Sequence, residues 1–174
     1  MKIKLIIVVI LSVGLSSSIS LIGGLGIESV QNELIKVVPL LIALPALNSL
    51  VGDYATLIAA HAGNPAERRL SKIQLAKAIS PAIAVSTSLI LLLSILLAIH
   101  RKFAFTSAIL SKYVLFVIFS ILSVILIMFI ITVLLDKLLK HRAINPDDIL
   151  IPIVTTISDI FMLGLIALAV KFLF

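Results

Sequence analysis

The chain has 174 residues, 61% of them hydrophobic and 13% charged, with 14 Lys and Arg against 8 Asp and Glu. A soluble domain is nearer half apolar and a quarter charged, so a mean hydropathy of +1.32 excludes an ordinary water-soluble fold. The absence of cysteine excludes a disulfide scaffold and any thiolate metal site.

The apolar residues are gathered in runs long enough to cross about 30 Å of hydrocarbon, which takes roughly 20 residues. An open sheet edge cannot sit in lipid, so the runs are read as helices. The expected fold class is all-α: a polytopic membrane protein with five transmembrane helices, forming one domain over residues 1–174. The expected spans are about 5–24, 37–60, 79–99, 113–135 and 149–173. The sequence pI of about 9.8 comes from basic residues clustered between the apolar runs. That placement points to topology and contact with membrane lipids, and no nucleic-acid partner is expected.

The first run follows Lys2 and Lys4. It is too long for a leader core, and Gly23, Gly24, Leu25 and Gly26 after it read as a flexible turn, not a cleavage site. Ser16, Ser17, Ser18 and Ser20 are read as packing this helix against its neighbours. The second run carries Pro39, Pro45, Asn48, Gly52, Asp53 and Thr56, and a polar loop with Glu67, Arg68, Arg69 and Lys72 follows. Pro81 is placed in the first turn of the third run, where proline costs little. The fourth run is the most uniformly apolar.

The fifth run has a well-specified start, with Asn145 as cap, Pro146 at the first helical position and Asp148 in the capping-box position. Asp147 and Asp148 also favour the positive end of the helix dipole. With the N-terminus cytoplasmic, nine basic residues fall inside and five outside, so the reading is a multi-pass cell-membrane protein with its N-terminus cytoplasmic and its C-terminus outside.

Two carboxylates, Asp53 and Asp159, interrupt the spans, and an ionisable residue inside a transmembrane helix is a functional-site candidate by default. No Lys or Arg is expected at their depth. Thr155 lies one turn before Asp159 on the same helix face, with Thr156 beside it. Pro45 has no N–H, which frees the carbonyl of Leu41, while Asn48, Gly52, Asp53 and Thr56 form a small, polar stripe. Carboxylate, hydroxyl and amide oxygens suit a hard cation such as Mg²⁺ or Ca²⁺. The candidate metal ligands are therefore Asp159, Asp53, Thr155, Thr156 and Asn48. His61, His100 and His141 stand at or beyond helix ends and are read as interfacial. No nucleophile–base pair, phosphate loop or redox motif is present, so the chain is not read as an enzyme.

The segment Pro45-Ala-Leu-Asn-Ser-Leu-Val-Gly-Asp-Tyr-Ala-Thr56 resembles the second-helix signature of the MgtE superfamily of magnesium channels and transporters. It is closest to the form of the eukaryotic solute-carrier branch. The segment Asn145-Pro-Asp-Asp-Ile-Leu-Ile-Pro-Ile-Val-Thr-Thr-Ile-Ser-Asp159 resembles the fifth-helix signature more closely still. The resemblance implies an MgtE-like transmembrane domain that forms a homodimer, with a cation pathway near the two-fold axis lined by the second and fifth helices. It also implies that Asp159 is the intramembrane Mg²⁺ ligand. Asp53 is a carboxylate where the family usually has an amide. Large cytoplasmic sensor domains of bacterial members have no counterpart in the sequence, and its single repeat is expected to pair with a second copy. The function expected is divalent cation transport, with Mg²⁺ as the bound and transported ion. The alternatives are a Na⁺- or H⁺-coupled exchanger, for which Asp53 is the hint, and a non-transporting scaffold or accessory subunit.

Overall fold

The computed structural model describes residues 2–63, 72–139 and 147–174. Those residues form six helices: α1 (Lys2–Glu28), α2 (Gln31–Leu34), α3 (Val38–Gly63), α4 (Lys72–His100), α5 (Ser107–Leu139) and α6 (Asp147–Phe172). Among the described residues, α3, α4, α5 and α6 are long and apolar enough to cross a membrane, over Val38–His61, Lys77–His100, Ser107–Leu135 and Leu150–Phe172. Helix α1 covers the first expected span, but through Ser16 most of its side chains lie outside the described residues. The loop around Arg68 and Arg69, His141, and the Asn145–Pro146 cap also lie outside them.

Helices α3 and α6 form the centre. Helix α3 packs against α4, α5 and α6, while α6 packs against α1, α3 and α5. The inner face of α6 is a ladder of four-residue steps, Leu150, Val154, Ser158, Met162, Ile166 and Val170, every member buried. Such spacing keeps one stripe of the helix on its neighbours. Helix α5 supplies Tyr113, Val117, Ile121, Val124 and Met128, and α3 supplies Leu40, Leu47 and Val51. The opposite faces are apolar too: Leu115 is 68% exposed and Leu126 60%. Rows of exposed leucine and phenylalanine on long helices are what a lipid-facing surface requires.

Two expectations about helix ends are corrected. Gly23, Gly24 and Gly26 are helical, because α1 continues through Glu28 before turning. Glycine breaks helices in water by exposing backbone, but in an apolar setting the helical bonds are the backbone's best option, and the missing side chain allows close packing. Gly23 is buried against α6, where an added Cβ would lie 3.0 Å from Leu163 Cδ1. Pro81 is also not in a first turn, since α4 begins at Lys72. The carbonyl of Lys77 that Pro81 cannot serve accepts a hydrogen bond from Ser80 Oγ at 3.4 Å.

The turn between α4 and α5 is built from local bonds. Lys102 takes a left-handed conformation (φ 60°), and the N–H of Phe103 reaches back to the carbonyl of Ala98 at 3.0 Å. This closes the helix as a Schellman-type end. Thr106 Oγ1 then accepts from the N–H of Ile109 at 3.2 Å, capping α5. Below the turn, Ser94 Oγ and Tyr113 Oη are 2.5 Å apart, buried between the two helices. Ser94 also donates to the carbonyl of Ile90 at 2.6 Å, so Tyr113 is the group that relies on the pair. Ser94→Ala strands a buried phenol and should cost about 1–3 kcal/mol, whereas Tyr113→Phe leaves Ser94 bonded and should cost less. Thermal melts of the two variants in detergent check that order; equal losses would contradict it.

Candidate cation-binding site

Near the middle of α6 the buried ladder meets a charge. Asp159 is nine residues beyond Leu150, about 14 Å along the helix at 1.5 Å per residue. Its neighbour Ser158 points into the core and donates to the carbonyl of Thr155 at 2.6 Å. One step around the helix, Asp159 is half-buried at the edge of that seam.

On one side it meets α3. A Cβ built on Gly52 would stand 3.6 Å from Asp159 Oδ1, in ordinary contact, so this face of α3 lies directly against the carboxylate. Asn48, one turn earlier on α3, is its hydrogen-bonding neighbour. The amide nitrogen is the donor in that pairing. Asn48 Oδ1 is buried and has no partner among the described residues. The residue that neighbours the carboxylate thus also carries a buried acceptor with no donor of its own.

On the other side lies an open groove of about 770 Å³ between α1 and α6, lined by Ser17, Ser20 and Gly24 of α1 with Pro152, Thr155, Thr156 and Asp159 of α6, among others. None of its lining residues is Lys, Arg or His. The threonine protons are committed to the helix backbone. Thr155 Oγ1 donates to the carbonyl of Ile151 at 2.8 Å, and Thr156 Oγ1 donates to the carbonyl of Pro152 at 2.7 Å. Their hydroxyl oxygens therefore offer lone pairs. Oxygen acceptors around one carboxylate, with no competing cation, form the donor set of a hard divalent ion. At about 30 Å³ per water, the six waters of an octahedral Mg²⁺ take roughly 180 Å³, so the groove has room for a hydrated ion.

Among the sequence-derived candidates, Asp159, Thr155 and Thr156 line one groove, and Asn48 neighbours Asp159 from the α3 side. Asp53 does neither: it is exposed on α3, away from the groove, and among the described residues no cluster of three or more His, Cys, Asp or Glu occurs. Thr56 Oγ1 is turned onto its own helix, donating to the carbonyl of Gly52 at 3.0 Å. His61 and His100 stand in the last turns of α3 and α4. What sequence reasoning missed is α1. Ser17, Ser20, Leu21 and Gly24 fall at i, i+3, i+4 and i+7, the spacing that marks one helix face, and that signal was available.

The Gly52 geometry sets a test. The 3.6 Å separation is ordinary contact, so Gly52→Ala should fold and keep Asp159 in place. Gly52→Leu must push α3 and α6 apart and should destabilise by about 1–3 kcal/mol. Melting temperatures of both variants distinguish a seat that admits a methyl group from one that tolerates any side chain.

A family model for the MgtE divalent cation transporter matches residues 44–169, which takes in α3 from Leu44, α4, α5 and most of α6. Comparison with curated proteins and with solved structures gives no match.

Proposed function

Since the chain belongs to the MgtE family of divalent cation transporters, we propose that it carries Mg²⁺ across the membrane through a homodimer, with Asp159 as the central ligand. Family membership itself implies divalent cation transport in a multi-pass membrane protein and no enzymatic reaction. The choice of ion, the dimer and the ligands are the further reading.

The observation that carries it is a half-buried carboxyl, Asp159, beside Asn48, whose Oδ1 is buried without a partner among the described residues. The Asn48 amide can give Asp159 one donor, the remaining lone pairs of both groups suit a cation or its waters, and no residue lining the groove is basic. One carboxylate per chain beside neutral oxygens suits an ion that dehydrates reluctantly and keeps several waters. Asp159 and Asn48 take the ion's positive field directly. Thr155 and Thr156 accept hydrogen bonds from its water.

What supports the homodimer here is Asp53. This carboxylate is exposed on a span-length helix, where lipid would be an expensive neighbour. A second copy, joined along the α3 and α6 faces, removes Asp53 from lipid and gathers the carboxylates around one pathway. Helix α1 serves as the fifth span, completing one domain with the N-terminus cytoplasmic and the C-terminus outside the cell membrane.

Asp159→Asn keeps the shape and removes the charge. An interaction with a charged partner is worth about 1.5–3 kcal/mol, so Mg²⁺ affinity should fall at least about tenfold. Calorimetry and Mg²⁺ flux in liposomes, on protein shown to be folded, check this. Retained binding and flux would overturn the assignment.

Asp53→Asn should leave the dimer intact and raise the half-saturating Mg²⁺ concentration by about two- to fivefold, the effect of a water-screened charge worth up to ~1 kcal/mol. Flux titrations read that shift. An unchanged titration would make Asp53 a packing residue and leave the pathway to Asp159.

A further inference from the structure

Helix α1 packs principally on α6. The two run parallel, because the lower-numbered residues of one face the lower-numbered residues of the other. Gly23 sits against Ile160 and Leu163, while the groove below that contact pairs residues 17–24 with residues 151–159. At Gly23 the helices touch, with the prospective Cβ 3.0 Å from Leu163 Cδ1 and 3.8 Å from Ile160 Cγ1. Toward the ends where α1 and α6 begin, they part. Gly24 has nothing within 4 Å of its prospective Cβ, so its missing side chain leaves open space beside Asp159.

We propose that this crevice is the water-filled approach to Asp159, and that Ser17 and Ser20 of α1 hold the ion's hydration shell as it arrives. The proposal deepens the reading of Asp159 as the ion's carboxylate and rests on it. Water bound to a divalent cation turns its protons outward, so the wall it passes must accept hydrogen bonds. On the α6 wall, Thr155 and Thr156 have directed their own protons to Ile151 and Pro152, leaving lone pairs for that purpose. On the α1 wall, Ser17 and Ser20 line the groove, and among the described residues no group is bonded to either hydroxyl. Ser18 differs: it lies outside the groove lining and donates to the carbonyl of Gly14 at 2.9 Å, the usual arrangement for a serine with no other partner in lipid. Two hydroxyls of one helix thus stand in the carboxylate's groove, and a third, beside them in sequence, is satisfied on its own backbone. Ser17 and Ser20 act on the ion through its water and are positioning residues.

The absence of cysteine makes the test direct. Single Ser17→Cys, Ser18→Cys and Ser20→Cys variants of the full chain are reconstituted in liposomes and treated with a cationic, membrane-impermeant methanethiosulfonate. Cysteine at 17 and 20 should react and cysteine at 18 should not. Mg²⁺ at ten times its Kd should slow the reaction about tenfold, following 1 + [L]/Kd. In an Asp159→Asn background the labelling should persist and the Mg²⁺ protection should vanish. Reaction at 17 and 20 no faster than at 18 overturns the proposal, because the crevice is then dry. Labelling that Mg²⁺ never slows, in a chain whose Asp159→Asn variant has lost flux, also overturns it: the ion reaches Asp159 by another route. Flux retained in Asp159→Asn marks the separate failure of the underlying site assignment. Should Ser20→Cys not fold, Ser17→Cys carries the same comparison.

Discussion

Hydrocarbon offers no hydrogen bonds, so each polar group on these helices must find its partner within the protein. Most of the hydroxyls meet that demand with their own helix. Ser120 donates to the carbonyl of Val117, Ser158 to that of Thr155, and Thr56 to that of Gly52. A hydroxyl can do this because it has a proton to give and a backbone carbonyl lies one turn back. A carboxylate cannot, since it has only lone pairs and the nearby carbonyls are acceptors as well. Asp159 is therefore the group that its helix cannot satisfy, and the arrangement of α3 and α1 around it answers to that. Gly52 lies against it, Asn48 is its neighbour on α3, and Ser17, Ser20 and Gly24 border open space on its other flank.

The remaining helices serve this arrangement by insulating it. Helix α4 meets α3 and α5, and α5 covers α3 and α6 on the side away from α1. Their contact with the centre is sealed by apolar side chains and by a few buried polar pairs such as Ser94 with Tyr113. In a membrane, contacts between apolar side chains gain little over contacts with lipid, so close packing and these pairs fix the register. The outcome is a centre whose one soft flank is the α1–α6 groove.

Much of the centre was legible because a polar residue in an apolar run is conspicuous. Asp159, Thr155, Thr156 and Asn48 stood out by type, and the common face of Thr155 and Asp159 followed from helical periodicity. The spans of α3 to α6 were legible for the same reason, within a few residues at most ends. What was not legible is what depends on the neighbour. Periodicity places Asp53 within 100° of Gly52 but does not say which of them faces α6; the structure gives that place to Gly52. The glycines after Ile22 read as a turn because glycine behaves that way in water, whereas the helix continues through them with Gly23 against α6. Pro81 read as a first-turn residue because proline costs little there, yet α4 begins at Lys72 and Ser80 supplies a donor to the carbonyl of Lys77. The serines of α1 were recognised as facing protein, but nothing in their own helix reveals that the neighbour is a carboxylate.

A site with one charge per chain also accords with transport. A cage of several carboxylates would bind a divalent ion tightly and release it slowly, whereas conduction needs binding strong enough to enter and weak enough to leave. Mg²⁺ holds its waters more firmly than Ca²⁺ does, so a wall that accepts hydrogen bonds from those waters is a cheaper path than one that strips them. The lone pairs of Thr155 and Thr156, made available by bonds to Ile151 and Pro152, form such a wall without adding charge. In the function proposed above, Asp159 supplies the attraction that draws the ion from water, and the neutral oxygens keep that attraction from becoming a trap. The helix backbone makes this possible: the carbonyl of Pro152, one turn back, accepts the Thr156 proton and leaves the threonine oxygen with lone pairs to offer.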